Sequence, residues 1–283
     1  MTVQDESTVL ETVSAVLERS PRRVIACSGG VDSLLLADLA HEMRPGTTIV
    51  AHSVSPAVPP SATERVQQVA ADLGWRLELV ESAEFSDARY RSNPRNRCYF
   101  CKSHLYSELD RVSSAARWRG PTWTVMSGAN ADDLGEYRPG LVAADEHKVI
   151  HPFVEAHMTK RDIRSLALSR GRTWHDLPAA PCLASRLYTG TEVTAERLRA
   201  VDRGENTLRA RTGLGVVRCR IKGDDVVVEV ASDARETVTP ALLSEVLTIM
   251  REDVPDLRSI SLDDAPYAPG RAFVALGALR GVG

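Results

Sequence analysis

The chain has 283 residues, of which 43% are hydrophobic and 26% are charged, with a formal net charge of -3. This balance argues against a broad nucleic-acid surface, and the apolar runs are too short to cross a bilayer. The acidic, polar segment from Met1 to Glu11 does not resemble a signal peptide, and five cysteines are an odd number for a disulfide framework. We therefore expect a cytoplasmic protein with no membrane partner.

Strands and helices alternate in the first half of the chain. Hydrophobic patterning predicts strands at 22–27, 47–54, 75–80 and 122–126, and helices at 34–40, 61–72, about 101–118 and 160–169. Ser61 and Glu64 form a predicted capping box, and Thr159 a predicted helix cap. Such alternation with short links predicts an α/β fold with a parallel, Rossmann-like sheet.

The pattern changes after Pro178–Pro181, a segment that resembles a linker. Helices at 194–211 and 240–251 and strands at 216–221, 226–230 and 258–262 predict a smaller α+β domain, with a hairpin turn at 223–225. We expect a first domain at 1–178 and a second at 179–283.

The segment Ser28-Gly29-Gly30-Val31-Asp32-Ser33 lies between the first strand and its helix. Glycines permit a sharp turn, and the amides at a helix N-terminus suit phosphate. No Gly-Lys-Ser/Thr is present, and the order of residues resembles the pyrophosphate loop (PP-loop) of enzymes that split ATP between the α- and β-phosphates. We predict that Ser28, Gly29, Gly30, Asp32 and Ser33 bind ATP; a simple connecting turn is the alternative. Asp32 is either only an acceptor at the helix entry or also helps to place Mg²⁺.

Two further strand ends are predicted to join this loop, because ligands of parallel sheets lie beyond the carboxyl ends of the strands. His52 and Ser53 are predicted to contact adenine or ribose through backbone groups, and so to tolerate substitution. Gly128, Asn130 and Asp133 are predicted to bind the nucleotide or its metal, although such residues also form ordinary turns.

Three of the five cysteines suggest chemistry. Cys98-Tyr99-Phe100-Cys101 is placed just ahead of a predicted helix, and Cys182 lies at the domain junction. A Cys-x-x-Cys pair alone is shared by zinc, redox and iron-sulfur sites, but three thiolates can hold a [4Fe-4S] cluster with one iron open. Zinc, a disulfide or no joint role remain alternatives. Cys27 and Cys219, inside predicted strands, are expected to be buried.

Together with the ATP loop, two cysteine motifs, Arg97–Lys102 and Pro181–Arg186, and the segment Asn130–Gly140 carry a family resemblance. From about residue 10 to residue 265 the chain resembles the LarE family of ATP-dependent sulfur transferases. These enzymes supply sulfur to the nickel-pincer nucleotide cofactor of lactate racemase. The ATP loop alone is shared with GMP synthetases, NAD synthetases and tRNA-thiolating enzymes.

The resemblance implies a stepwise reaction. ATP, with Mg²⁺, adenylates a carboxylate of pyridinium-3,5-biscarboxylic acid mononucleotide; pyrophosphate leaves, sulfur attacks, and a thiocarboxylate forms. One branch of the family sacrifices the cysteine that matches Cys182, and another holds a [4Fe-4S] cluster with an extra sulfide on three cysteines. Cys98 and Cys101 favour the second branch. The resemblance also implies a sulfide donor as partner, homo-oligomers, typically hexamers, and a sulfur-transferase and oligomerisation role for the second domain.

Four residues are candidates for binding the substrate. Ser185 and Arg186 follow Cys182 closely enough to bind a phosphate or carboxylate. Arg218 and Arg220 alternate on a predicted strand and so share one face, where they form either a phosphate clamp or a solvated surface. Alternative functions are a tRNA thiolase, an amide-forming ligase like the GMP and NAD synthetases, and a non-enzymatic ATP-binding sensor.

Overall fold

The computed structural model describes residues 6–115, 123–135, 138–179, 181–268 and 270–272, with side chains from residue 9 onward. The α-helices are α1 Glu6–Glu18, α2 Val31–Met43, α3 Pro60–Leu73, α4 Ala88–Arg91, α5 Arg97–Ser114, α6 Pro139–Glu146, α7 Pro152–Glu155, α8 Lys160–Ser169, α9 Ala195–Thr212 and α10 Pro240–Arg251. The strands are β1 Arg23–Ala26, β2 Thr48–Ser53, β3 Leu77–Val80, β4 Thr124–Ser127, β5 Val217–Lys222, β6 Asp225–Val230 and β7 Ser259–Leu262.

The chain divides into two units, and each unit is made of three segments that are separate in the sequence. The first contains residues up to Ser55, Pro60–Glu84 and Cys98–Ala179; the second contains Pro56–Pro59, Phe85–Arg97 and the residues after Ala179. The chain thus passes into the second unit twice before its last third. The domain boundary expected at residue 178 stays a prediction.

The first unit is built on a parallel sheet with strand order β3-β2-β1-β4, which confirms the predicted α/β fold. Ala26, the last residue of β1, lies opposite Ala51 of β2 and Ser127 of β4. The carboxyl ends of the three strands therefore meet at one edge of the sheet. Helices cover both faces: Ile25 packs in a core with α2 and α8, and Val24 in a core with Tyr106 and Leu109 of α5.

Two helices of the first half begin earlier than predicted. α5 begins at Arg97, so Cys98 and Cys101 are its second and fifth residues and do not lie ahead of it. α3 begins at Pro60, so Ser61 lies within the helix and the capping box predicted for it is wrong. Proline suits the first position of a helix because its φ is preset and its missing N–H needs no partner there. Thr159 caps α8 as predicted, in a capping box with Asp162.

The second unit holds a mixed sheet of order β5-β6-β7, in which β5 and β6 are antiparallel and β6 and β7 parallel. Helices α9 and α10 pack on each other, α9 also on β5 and α10 on β7. This arrangement confirms the smaller α+β domain. No helix within the described ranges is long and apolar enough to span a bilayer.

Asn93 ties the segment Phe85–Arg97 into the second unit. It is 1% exposed and has a φ of +51°. Its Nδ2 donates to the carbonyls of Tyr188 and Thr191 at 2.8 and 2.9 Å, and its Oδ1 accepts from Arg97. Its own carbonyl accepts from Gly190 N–H at 3.0 Å. One buried side chain therefore joins stretches of chain about a hundred residues apart.

Candidate functional site

The loop from Ser28 to Ser33 is closed by the Ser33 hydroxyl. Ser33 Oγ accepts from the Ser28 backbone N–H and donates to the Gly30 carbonyl, both at 3.0 Å. The Ser28 and Ser33 hydroxyls lie 3.2 Å apart. Gly30 caps α2 without a side-chain acceptor, so the first amides of this 13-residue helix are not blocked by a capping side chain. The arrangement suits an anion at the helix N-terminus.

Two glycines allow the backbone around this loop to pack closely. Gly29 has a φ of +82°, and a Cβ there would lie 3.0 Å from the Ala62 carbonyl oxygen. A Cβ on Gly128 would lie 2.9 Å from the carbonyl carbon of Asp32 and 2.9 Å from the nitrogen of Ser33. The loop after β4 is therefore seated directly against the first turn of α2.

Asn130 connects this second loop to the first. It is fully buried, and its Nδ2 donates to Asp32 Oδ2 at 2.8 Å. Its backbone N–H donates to Asp133 Oδ2 at 3.2 Å, and its Oδ1 accepts from the Asp132 N–H at 3.0 Å. Asn130 thus holds two carboxylates on neighbouring loops, Asp32 through its side chain and Asp133 through its backbone N–H.

Two cations that the sequence reasoning did not single out face Asp133. Arg138 lies 2.9 Å and Lys160 Nζ 3.3 Å from Asp133 Oδ1. Asp133 Oδ1 is buried, yet no hydrogen bond with acceptable geometry reaches it from the described residues. Lys160 could have been found from its place directly after the predicted cap of α8. Arg138 belongs to the segment Asn130–Gly140 that carries the family resemblance. Its neighbours Glu136 and Tyr137 lie outside the described residues.

The acidic pair fits a divalent cation bound together with phosphate. Burial and the charge of Asp133 raise the pKa of Asp32, and a cation would relieve both effects. Asp133 Oδ1 is a buried oxygen that pairs with cations but accepts no well-aligned hydrogen bond from the described residues. Mg²⁺ is commonly held by one or two carboxylates plus substrate phosphates. Within the described residues, no three or more metal-binding side chains lie together. A site of this kind does not require three, because the phosphates supply the other ligands.

Both ring nitrogens of His52 make hydrogen bonds within the protein. It is 1% exposed, and its Nδ1 donates to the Cys27 carbonyl at 2.8 Å while its Nε2 accepts from the Thr63 hydroxyl at 2.9 Å. Burial lowers the pKa of His52, which keeps the ring neutral as this pattern requires. Substitutions of His52 should therefore loosen the strand ends, contrary to the tolerance predicted. Ser53, beside it, pairs its hydroxyl with that of Ser82 at 3.0 Å.

A second histidine at the same sheet edge was missed by the sequence reasoning. The stretch ending at His151 pairs with β4: Ser127 N–H donates to the Ile150 carbonyl at 3.0 Å. Ser127 Oγ and His151 Nδ1 lie 2.9 Å apart. Burial, and to a lesser degree Lys102, lower the pKa of His151. No motif marks this residue; only the isolated bridge between Ile150 and Met126 of β4 brings it to the edge.

The cysteines divide by exposure. Cys182 is exposed, Cys98 and Cys101 are half-buried, and Cys27 and Cys219 are buried, as predicted for the last two. Burial raises the pKa of the Cys27 thiol to about 11. Cys98 and Cys101 belong to the first unit and Cys182 to the second. All three accessible thiols fit the donor chemistry of an iron-sulfur cluster, and their joint ligation stays a prediction.

Arg186 holds the Cys182 loop. Its side chain is 3% exposed, and it donates to both Glu205 carboxylate oxygens, at 2.9 and 3.1 Å. The third nitrogen, Nη1, donates to the Pro181 carbonyl at 2.6 Å, the Ser185 hydroxyl at 3.1 Å and the Cys182 carbonyl at 3.2 Å. The guanidinium is thus committed to fixing the backbone on either side of the exposed thiol.

Arg218 and Arg220 share one face of β5, as predicted, but both are buried, at 5% and 4% exposed. The alternative of a solvated arginine surface is therefore wrong. Arg220 donates to Glu229 at 2.7 Å and to the Ser185 carbonyl at 3.0 Å. The Arg218 guanidinium lies 5.1 Å from the centre of the Tyr267 ring.

The surroundings of Arg218 disfavour the charge on its guanidinium group. Burial, followed by the neighbouring Arg186, lowers the pKa of Arg218. A bound anion would offset both effects. Arg218 is therefore the better placed of the pair to receive a phosphate or carboxylate.

Comparison with known proteins finds relatives that cover most of the chain. The chain is 39% identical over 211 residues to the uncharacterized protein slr1717 of Synechocystis, covering 75% of this chain and 77% of that protein. It is 28% identical over 220 residues to the pyridinium-3,5-bisthiocarboxylic acid mononucleotide synthase of Lactiplantibacillus plantarum, covering 77% and 78%. It is 26% identical over 220 residues to the uncharacterized protein MJ0830 of Methanocaldococcus jannaschii, covering 78% and 82%.

No protein-family model matches the sequence. The similarity to the synthase nevertheless agrees with the LarE resemblance at the level of the family. The chain is 28% identical to the L. plantarum synthase, and with 39% identity across three quarters of both chains it belongs to the protein family of slr1717.

Proposed function

We propose that the chain is an ATP-dependent sulfur transferase of cofactor biosynthesis that converts carboxylates of pyridinium-3,5-biscarboxylic acid mononucleotide to thiocarboxylates. One observation carries the proposal: a predicted ATP loop and an exposed Cys182 occur in a chain 28% identical to a synthase named for the bisthiocarboxylic product. None of the three relatives reported above is named as a tRNA thiolase, an amide ligase or an ATP sensor.

The ATP half of the reaction uses the first unit. The amides of α2 and the hydroxyls of Ser28 and Ser33 would bind phosphate, and Asp32 and Asp133 would hold Mg²⁺, which balances phosphate charge. A substrate carboxylate oxygen attacks the α-phosphorus, and pyrophosphate leaves with the electron pair of the broken bond. The product of this step is an acyl-adenylate.

The sulfur half uses the cysteines. A sulfur nucleophile attacks the acyl carbon, AMP leaves, and a thiocarboxylate results. Cys98, Cys101 and Cys182 would hold the [4Fe-4S] cluster, which supplies bound sulfide. Arg218 would bind the substrate phosphate, and Arg186 would position the Cys182 loop. Sacrifice of the Cys182 sulfur is the alternative, and its exposure favours neither route.

The proposal is tested by incubating anaerobically purified protein with ATP, Mg²⁺, sulfide and the dicarboxylate mononucleotide. We expect mass spectrometry to detect the thiocarboxylate together with AMP. Iron and sulfide content should fall in Cys98→Ser and stay at the wild-type level in the buried control Cys219→Ala. Loss of one H₂S from the protein would instead indicate sacrifice of Cys182. Release of AMP with no sulfur product, and amide formation with ammonia, would favour a ligase.

A further inference from the structure

His151 presents an unshared electron pair at the sheet edge where the two proposed ATP loops meet. Its Nδ1 lies 2.9 Å from the Ser127 hydroxyl. The backbone carbonyl of Ser127 also forms a hydrogen bond with the ring, which favours the ring proton and acts to raise the pKa of His151. A carbonyl oxygen can only accept, so Nδ1 carries the hydrogen of the neutral ring and Nε2 is left as the acceptor.

Nε2 is open to a bound molecule. Among the described residues it has no hydrogen-bond partner, and it is not one of the buried polar atoms that lack one, so it reaches the solvent. The neighbouring His52 differs, because its two ring nitrogens are taken up by the Cys27 carbonyl and the Thr63 hydroxyl. Of these two histidines, only His151 can accept a proton from a ligand without breaking a hydrogen bond of the fold.

Burial and the charged groups of three elements act on the His151 ring. Burial has the largest effect and lowers the pKa of His151 below its ordinary value. Lys102 of α5 lowers this pKa further, whereas Asp133 in the loop after β4 and Glu155 of α7 raise it. The ring is therefore neutral near pH 7, with its Nε2 electron pair available. Lys102 directly follows Cys101, and Asp133 belongs to the acidic pair, so the ring interacts with both regions on which the proposed reaction depends.

The proposed sulfur step releases a proton that the residues assigned above cannot accept. Hydrosulfide still carries one hydrogen when it attacks the acyl carbon. Asp32 and Asp133 would be bound to Mg²⁺, and the guanidinium groups of Arg186 and Arg218 have no acceptor atom. A neutral imidazole with one free nitrogen is the side chain most often used for this task.

We propose that His151 is a catalytic residue whose Nε2 takes the proton of the sulfur nucleophile as the thiocarboxylate forms. The sulfur bonds to the acyl carbon, and the bond from that carbon to the adenylate oxygen breaks. The electron pair of this bond leaves with AMP, while the S–H electron pair stays on sulfur and the proton passes to Nε2. The ring returns the proton to solvent once the product has left. The inference rests on the proposed function and adds the proton acceptor that its second half requires.

The test separates the two halves of the reaction in His151→Gln, whose side chain can still pair with Ser127 but is not a base. His157→Gln is the matched control, because His157 is exposed in the same stretch of chain. Exchange of labelled pyrophosphate into ATP, dependent on the dicarboxylate mononucleotide, reports the acyl-adenylate, and mass spectrometry reports the thiocarboxylate formed from hydrosulfide. We expect His151→Gln to form thiocarboxylate roughly a hundredfold more slowly, a typical contribution of a general base, and to change exchange by less than about twofold. Added imidazole should restore part of the rate in His151→Ala, and His157→Gln should match the wild type in both assays.

Equal rates of thiocarboxylate formation in His151→Gln and the wild type would overturn the inference and leave the proposed function standing. An equal loss of exchange and of thiocarboxylate would also overturn it, since His151 would then serve ATP binding or the fold. If the wild type forms the adenylate but no thiocarboxylate, the proposed function and the inference fail together. NMR of the wild type with isotope-labelled histidine gives a test without activity. We expect the ring hydrogen of His151 on Nδ1, and a hydrogen on Nε2 would overturn the inference even if no His151 variant folds.

Discussion

Gly128→Ala probes the contact between the two loops of the proposed ATP site. The added methyl group would lie 2.9 Å from two backbone atoms, the Asp32 carbonyl carbon and the Ser33 nitrogen. Ordinary contacts to a Cβ are 3.4–4 Å, so the loop after β4 and the first turn of α2 would have to separate by about 0.5 Å or more. Neither partner is a side chain that can rotate away.

We expect this separation to lower the free energy of unfolding by about 1–3 kcal/mol, the usual cost of overpacking. ATP affinity should also fall, because the movement displaces Asp32 and the Ser33 amide together. Loss of one charge-assisted hydrogen bond corresponds to a roughly tenfold to hundredfold weaker Kd. Gly135→Ala is the matched control: it lies in the same loop, and no heavy atom of the described residues lies within 4 Å of a Cβ there.

Urea unfolding followed by tryptophan fluorescence gives the stability difference, and calorimetry with Mg²⁺ and ATP gives the affinity. Gly135→Ala should match the wild type in both measurements. If Gly128→Ala is as stable as Gly135→Ala and binds ATP as tightly, the two loops are not in the close contact described, and the reasoning from Asn130 and Asp133 to the ATP loop fails with it.

Three further predictions concern stability and thiol exposure. Asn93→Ala should lower the free energy of unfolding by roughly 1–3 kcal/mol in urea titrations, since it removes the donor to the buried Thr191 carbonyl and an acceptor of Arg97. Asn93→Gly should be more stable than Asn93→Ala by about 1 kcal/mol at this positive φ, and equal values would refute a role for backbone conformation. The pKa of Asp32 is raised in the folded state, so protonation of this carboxyl favours folding and stability falls as the pH rises above the ordinary carboxyl range. Asp32→Asn should therefore lose less stability than the wild type over this pH range. Near pH 7 the free energy of unfolding of the variant should be higher than that of the wild type. In iron-free protein, iodoacetamide should label three cysteines in the native state and all five in urea; native labelling of Cys27 would contradict its burial and raised pKa.

The parts of the fold that sequence reasoning predicted are those decided by neighbours in the chain. The strand–turn–helix around Ser28–Ser33 depends on local hydrophobic periodicity and two glycines, and both are visible in the sequence. The cap at Thr159 and the turn at Gly223, with a φ of +62°, are also local. Burial of Cys27 and Cys219 followed from their positions inside predicted strands.

The parts that were missed depend on distant pairs. His151 reaches the sheet edge only because its stretch pairs with β4, and the contact of Lys160 with Asp133 requires two loops to fold together. Arg186 was expected to bind substrate, but its donors meet Glu205, and no periodicity announces that pairing. Helix α5 begins at Arg97, whose N–H donates to the Pro94 carbonyl, a turn that the polar composition of the segment concealed.

The interleaving of the two units bears on how chimaeras of this protein and its relatives should be made. A gene fusion cut once, near residue 180, would pair one parent's Asn93 with the other parent's Tyr188 and Thr191, whose carbonyls accept from it. Recombination breakpoints that transfer Phe85–Arg97 along with the last hundred residues keep that buried amide with its own partners. Grafts designed this way should express as soluble protein where single-junction grafts aggregate.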